Sequence, residues 1–127
     1  MRSVRMCIYG GTDLEGMPTT FVAALAEKIL GSMPAVIVTG GFRQYADRPA
    51  AISTDTAALM GARRYVNESK RNLKECYEAW VPDPILDGRS DVVAIRMTEA
   101  DGITVRVLTG RTALGRRLAM SLASTCL

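Results

Sequence analysis

The chain has 127 residues, 48% hydrophobic and 23% charged, which makes a single domain over residues 1–127 with a real core and an ordinary globular composition. Its net charge of +3 gathers in no like-charged block and its aromatics are only 6%, so duplex binding and stacking along single-stranded nucleic acid are not expected. It has no histidine and no apolar run near the roughly 18 residues of a membrane span, which excludes histidine-based catalysis, histidine metal ligation and a spanning helix.

The first apolar run, Val4 to Tyr9, ends in Gly10-Gly11-Thr12-Asp13 and reads as a strand leading into a glycine turn. Arg2 and Arg5 flank only a few apolar residues, so no signal peptide is expected. Pro18 suits the first position of a helix whose apolar face carries Val22, Leu25, Ala26 and Ile29, with Glu27 and Lys28 outward. Gly31 and Pro34 end it. The next run, Ala35 to Thr39, is almost wholly apolar, as suits a parallel strand covered on both faces, and ends in Gly40-Gly41-Phe42-Arg43. Strand, helix and strand form a βαβ unit. Its two glycine turns then lie side by side at the carboxyl edge of a parallel sheet, where open α/β folds bind ligands.

Residues 41–52 read as a long loop carrying Arg43, Tyr45 and Arg48, with the character of a binding loop. Ser53-Thr54-Asp55 offers three good N-cap types for a helix running through Arg63. A further amphipathic segment is predicted over Asn67 to Trp80, since Leu73, Cys76, Tyr77 and Trp80 recur at helical spacing; Val81-Pro82-Asp83-Pro84 ends it. Asp91–Met97 and Ile103–Leu108 are β-like runs separated by a segment ending in Asp101-Gly102, which predicts a hairpin near 91–108. A last helix is predicted over Thr112 to Ala123, with Leu114, Leu118 and Leu122 on one line and Arg116 and Arg117 beside it. The expected fold is a three-layer α/β domain, a Rossmann-like parallel sheet shortened at the C-terminus.

Glycine at the two turns supplies backbone freedom and close approach, and N–H groups at a following helix start favour an anion such as phosphate. The candidate ligand-binding residues are therefore Gly10, Gly11, Thr12, Asp13, Gly40, Gly41, Phe42, Arg43, Ser53, Thr54 and Asp55, with Arg117 as a bidentate phosphate partner. Each has a plainer reading. The glycines can simply close turns, Asp55 can cap a helix, and Arg116 and Arg117 can be surface charges. Trp80 and Tyr77 fit a core anchor better than a base-stacking surface, and Cys76 has no histidine to activate it as a nucleophile. Neither turn fits G-x-G-x-x-G, and no segment fits the P-loop pattern. Cys7, Cys76 and Cys126 are odd in number and widely spaced, showing neither a disulfide framework nor zinc spacing, and a reducing, cytoplasmic compartment is the expectation.

Ile8-Tyr9-Gly10-Gly11-Thr12, Val38-Thr39-Gly40-Gly41, the small-residue stretch from Ser53 to Ala62 and Arg116-Arg117-Leu118-Ala119-Met120 together resemble the SLOG superfamily. That Rossmann-like group includes the LONELY GUY-type phosphoribohydrolases and proteins once described as lysine decarboxylases. The phosphoribohydrolases carry a further strand ending in P-G-G-x-G-T-x-x-E, which holds phosphate and supplies a catalytic Glu. Here only seven residues follow Met120, and Thr109 to Gly115 has the wrong glycine spacing and no Glu after it. The resemblance thus implies either a shortened, binding-only relative or a chain without its last third.

Two functions follow as expectations. The first is binding of a nucleotide or nucleotide-derived small molecule, with no added cofactor, as a sensor of the kind the resemblance implies in bacterial defence. The alternative is an N-glycosidase acting on nucleoside monophosphates, for which only Asp13, Glu15 or Asp55 is at hand; catalysis is left open. A third reading, an interaction module whose glycines only close turns, predicts no ligand. A sheet left without its last strand would expose an edge and leave Leu114, Leu118 and Leu122 short of partners, so self-association, most simply as a homodimer, is expected.

Overall fold

Val36, Ile37 and Val38 set the centre of the molecule: three β-branched residues in a row favour an extended chain and leave no polar side chain for solvent. The computed structural model describes residues 3–82, 94–108 and 125–126. In it Ala35–Thr39 is strand β2, the middle of a five-stranded parallel sheet. Strand β1, Val4–Cys7, lies on one side, pairing Met6 with Ile37 and Cys7 with Val38. Strand β4, Tyr77–Pro82, lies on the other. Beyond β4 comes β6, Thr104–Leu108, and beyond β1 comes the short β7, Thr125–Cys126, giving the order β6-β4-β2-β1-β7. The fold is α/β and Rossmann-like, as expected.

Helix α1, Met17–Ser32, begins with Pro18 in its first turn and buries Ala23, Ala26, Ile29 and Leu30. Helix α2, Thr54–Glu68, is capped by Ser53, whose Oγ accepts from Thr56 N at 3.0 Å, and carries Asp55 in its first turn, where a carboxylate suits the helix dipole. It buries Ala57, Ala58, Leu59, Gly61 and Ala62. This small-residue stripe has a steric purpose: a Cβ on Gly61 would stand 2.0 Å from the Ala23 carbonyl oxygen, so the helices touch backbone to side-chain stripe. Both helices pack on one face of the sheet, against Met6, Ile8, Ala35, Ile37, Tyr77, Ala79 and Val81. That is the arrangement right-handed crossovers require when strands are added in one direction.

Four expectations need correction. The segment Asn67–Trp80 is not a helix: α2 ends at Glu68, a single turn α3 spans Leu73–Cys76, and Tyr77 onward is β4. Tyr77 and Trp80 therefore fall on opposite faces of a strand; alternate burial between β2 and β6 outweighed the helical spacing of four residues. The hairpin near 91–108 does not form. Strand β5, Ala94–Arg96, pairs antiparallel with β3, Phe42–Tyr45, in a separate two-stranded sheet, whereas β6 joins the main sheet parallel to β4. Between them Glu99–Asp101 is a 3-10 turn that Gly102 closes at φ 81°, so Asp101-Gly102 ends a turn rather than a two-residue hairpin loop. Residues 41–52 are accordingly not all loop. The sheet edge beside β1 is also not left empty, since Thr125 and Cys126 pair with Met6 and Cys7. The helix predicted over Thr112–Ala123 lies outside the described residues.

Candidate functional site

The carboxyl ends of β1 and β2 and the start of α2 do converge. Ile8 N still bonds to Val38 O at 2.9 Å, after which the chain leaves β1 through Gly10 and Gly11. The Gly11 carbonyl accepts from both the backbone N and the Oγ1 of Thr54, each at 2.9 Å. Gly10 is required by that contact, because a Cβ there would lie 2.2 Å from Thr54 Oγ1. Farther along, Leu14 N bonds to Ile52 O at 2.7 Å, an isolated antiparallel bridge that ties the loop after β1 to the approach to α2. Thr12 and Asp13 stay exposed between these two ties. A Cβ on Gly11 would meet only Leu14 Cδ2, at 3.8 Å, so that side of the turn is open.

The second turn is held more tightly. Gly41 has φ 68°, a backbone that side chains rarely adopt, and a Cβ would lie 2.7 Å from Val81 Cγ1 and 2.9 Å from the Ala79 Cβ. Its N–H donates to Thr39 Oγ1 at 3.1 Å and its carbonyl accepts from Met97 N at 2.7 Å. Phe42 N donates to Asp55 Oδ2 at 2.9 Å, while Ser53 Oγ donates to the Phe42 carbonyl at 2.6 Å. Behind them Tyr77, fully buried, donates its hydroxyl to the Asp55 carbonyl at 2.8 Å and meets Thr39 Oγ1 at 2.6 Å, which makes the threonine the donor of that bond. Burial pushes the Tyr77 phenol well above its ordinary range; the neighbouring Asp55 charge adds to this, and the bond to Thr39 opposes it. Tyr77 is thus a neutral clamp between the second glycine turn and α2.

The two helix starts nearby differ. At α2 the first N–H groups have partners: Thr54 N on Gly11 O, Thr56 N on Ser53 Oγ and Ala57 N on Ser53 O. At α1 the capping position is Gly16, φ 64°, with no side-chain cap and no acidic residue in the first turn, and Thr20 N returns to Gly16 O at 3.3 Å. Thr19 Oγ1 is buried there without a hydrogen-bond partner among the described residues. Of the other expected residues, Arg43 is half exposed and paired with Asp101 at 3.3 Å, where Arg63 also donates to the Asp101 carbonyl. Arg117 lies outside the described residues. Arg96 was not anticipated; its Nη1 reaches the Gly40 carbonyl at 3.4 Å and its guanidinium stands 5.5 Å from the Phe42 ring centre.

The plainer reading holds for Trp80. Its Nε1 donates to Glu78 Oε1 at 3.1 Å, the Arg106 guanidinium lies over its ring at 5.7 Å, and it packs with Cys7 and Val38 on the sheet face away from α1 and α2. Glu78 in turn pairs with Arg106 at 2.6 Å and Arg5 at 3.3 Å. Cys76 is buried, and burial raises its thiol above the usual range, so it is no activated nucleophile. Tyr77, Leu14, Ile52 and Asp101 were missed as site-forming residues, and only the alternation of Tyr77-Glu78-Ala79-Trp80 held a readable signal. Among the described residues, no group of three His, Cys, Asp or Glu is placed to hold a metal ion, and no helix is long and apolar enough to cross a membrane. No family model matches the chain, and no curated protein matches it.

Proposed function

We propose that the chain binds a phosphate-bearing, nucleotide-like small molecule at the carboxyl edge of its parallel sheet, against the Gly10–Asp13 turn and the start of α1. The observation that carries this is the contrast between the two helix starts. The α2 start has its N–H groups joined to Gly11 and Ser53, whereas α1 follows a glycine turn without a side-chain cap and with Thr19 Oγ1 unpartnered among the described residues. Uncapped N–H groups at the positive end of a helix favour an anion. The strand order supports the same place: it runs outward from β1 to β6 on one side and turns to β7 on the other, and open α/β sheets bind ligands where the order reverses. Ser53, Thr54, Asp55, Gly40 and Gly41 then serve as the frame that fixes the first turn, with Phe42 tied into that frame through Asp55 and Ser53, while Arg43 pairs with Asp101.

Binding is favoured over N-glycoside cleavage because Asp55, the carboxylate held between the second turn and α2, accepts from Phe42 N, and Asp13 and Glu15 stand exposed. The SLOG resemblance, a sensor role, a cytoplasmic setting and self-association belong to the same proposal. The test is thermal unfolding with inorganic phosphate, AMP, NAD and ADP-ribose as probes. A ligand at a hundred times its dissociation constant stabilises by about 2.7 kcal/mol. Gly11→Val should abolish that gain while the protein still folds, since its Cβ meets nothing closer than 3.8 Å. A probe that stabilises the wild type and Gly11→Val equally would move the site elsewhere, and no stabilisation by any probe would favour an interaction module.

A further inference from the structure

We infer that the outer line of α1 is the contact through which two copies of this chain pair, antiparallel, about a two-fold axis near Ala24. Helix α1 turns Ala26, Ile29 and Leu30 to the core and Ala23 to Gly61 of α2. Met17, Phe21, Ala24, Lys28 and Gly31 remain outward, and all are exposed. Their spacing alternates four and three residues, the seam along which one helix meets another. A helix face meant for water carries charged and polar groups. This line carries one charge, Lys28, and leaves most of Met17 and Phe21 in solvent.

The same line holds both halves of a self-complementary joint. Phe21 stands out as a knob. Ala24 and Gly31, with little or no side chain, leave a groove of about 290 Å³ that Glu27, Lys28 and Ser32 also line. The groove centres on the level of Lys28, seven residues and therefore about 10 Å along the helix from Phe21. A two-fold axis midway between them, at the level of Ala24 and Leu25, sets each Phe21 into the other copy's groove at once. That is the isologous arrangement, in which one patch serves both partners. The phenyl ring then lies beside the partner's Lys28, whose ammonium favours an aromatic face. At the crossing point the small Ala24 side chain lets the two axes approach to the roughly 8–10 Å of packed helices. A second copy of the chain is the partner whose knob and groove already stand at this separation.

Resting on the self-association proposed above, this surface is tested apart from the ligand, because phosphate-bearing probes read the α1 start and mass reads the contact. One helix pair covers less than the roughly 800 Å² per partner of a standard interface, so the dimer should be reversible, its mass falling on dilution from high micromolar concentration. In light scattering Phe21→Glu should be a monomer with native circular dichroism. Gly31→Leu is the sharper variant. A Cβ at Gly31 meets nothing within 4 Å and leucine suits a helix better than glycine, so the fold is kept while the groove is filled. It should weaken association about tenfold or more, the worth of one buried phenyl ring, although it adds apolar surface. Association unchanged or strengthened in Gly31→Leu is the behaviour of a merely sticky surface; it would overturn the inference and leave self-association to another face. A wild-type monomer at high micromolar concentration would overturn both.

Discussion

Replacing Tyr77 with Phe removes one oxygen atom from a buried site and leaves the ring in place. That oxygen donates to the Asp55 carbonyl and accepts from Thr39, so two buried groups lose a partner while no cavity of consequence opens. Thr39 Oγ1 keeps its bond from Gly41 N and the Asp55 carbonyl stays within the first turn of α2, so the loss is that of the bonds to the removed oxygen, about 1–3 kcal/mol. Against a total stability on the order of 5–15 kcal/mol this is large. Urea unfolding followed by Trp80 fluorescence should show a lower midpoint at unchanged slope. Combining Tyr77→Phe with Thr39→Val should be less than additive, because the two substitutions remove a shared bond. The same variant carries a pH signature. The folded-state phenol is raised, so its contribution is complete below the unfolded value of 10.0 and is lost as pH rises from there toward the folded value; Cys76 behaves alike from 9.0 upward. Wild-type stability should therefore fall above pH 9 and more steeply above pH 10, and Tyr77→Phe should lack the steeper part. A loss below about 0.5 kcal/mol at neutral pH, the level of an ordinary surface substitution, would refute the clamp.

Gly61→Ala gains helix propensity yet should destabilise by about 1–3 kcal/mol, because its Cβ would overlap the Ala23 carbonyl oxygen and force α1 from α2; an unchanged or raised melting temperature would show that the helices part freely. The proposed self-association can be tested at an exposed apolar pair: Met17 and Phe21, one turn apart on α1, are 85% and 66% exposed. Light scattering should find a dimer that Phe21→Glu weakens, and a wild-type monomer at high micromolar concentration would refute it.

The sequence by itself determined the βαβ core. The unbroken apolar run from Ala35 to Thr39, Pro18 at the head of α1 and Ser53 before α2 are local signals whose physics acts within a few residues, and each element stands where they put it. The two glycine turns were equally legible, and so was their meeting at one sheet edge. Their division of labour was not. That Gly10 yields to Thr54, that Gly41 fits against Ala79 and Val81, and that Asp55 serves Phe42 depend on residues brought together across the sheet. Tertiary structure also decided the fate of the ambiguous segments. Tyr77 to Trp80 carried helical spacing and strand alternation at once, and the vacant position beside β2 selected the strand. Asp101-Gly102 permits a hairpin locally, but Ala94–Arg96 found its partner in Phe42–Tyr45, more than forty residues away, and Thr104–Leu108 in β4. Spacing alone cannot rank such pairings, because their free energy comes from the surface each strand buries against neighbours that only the folded chain supplies.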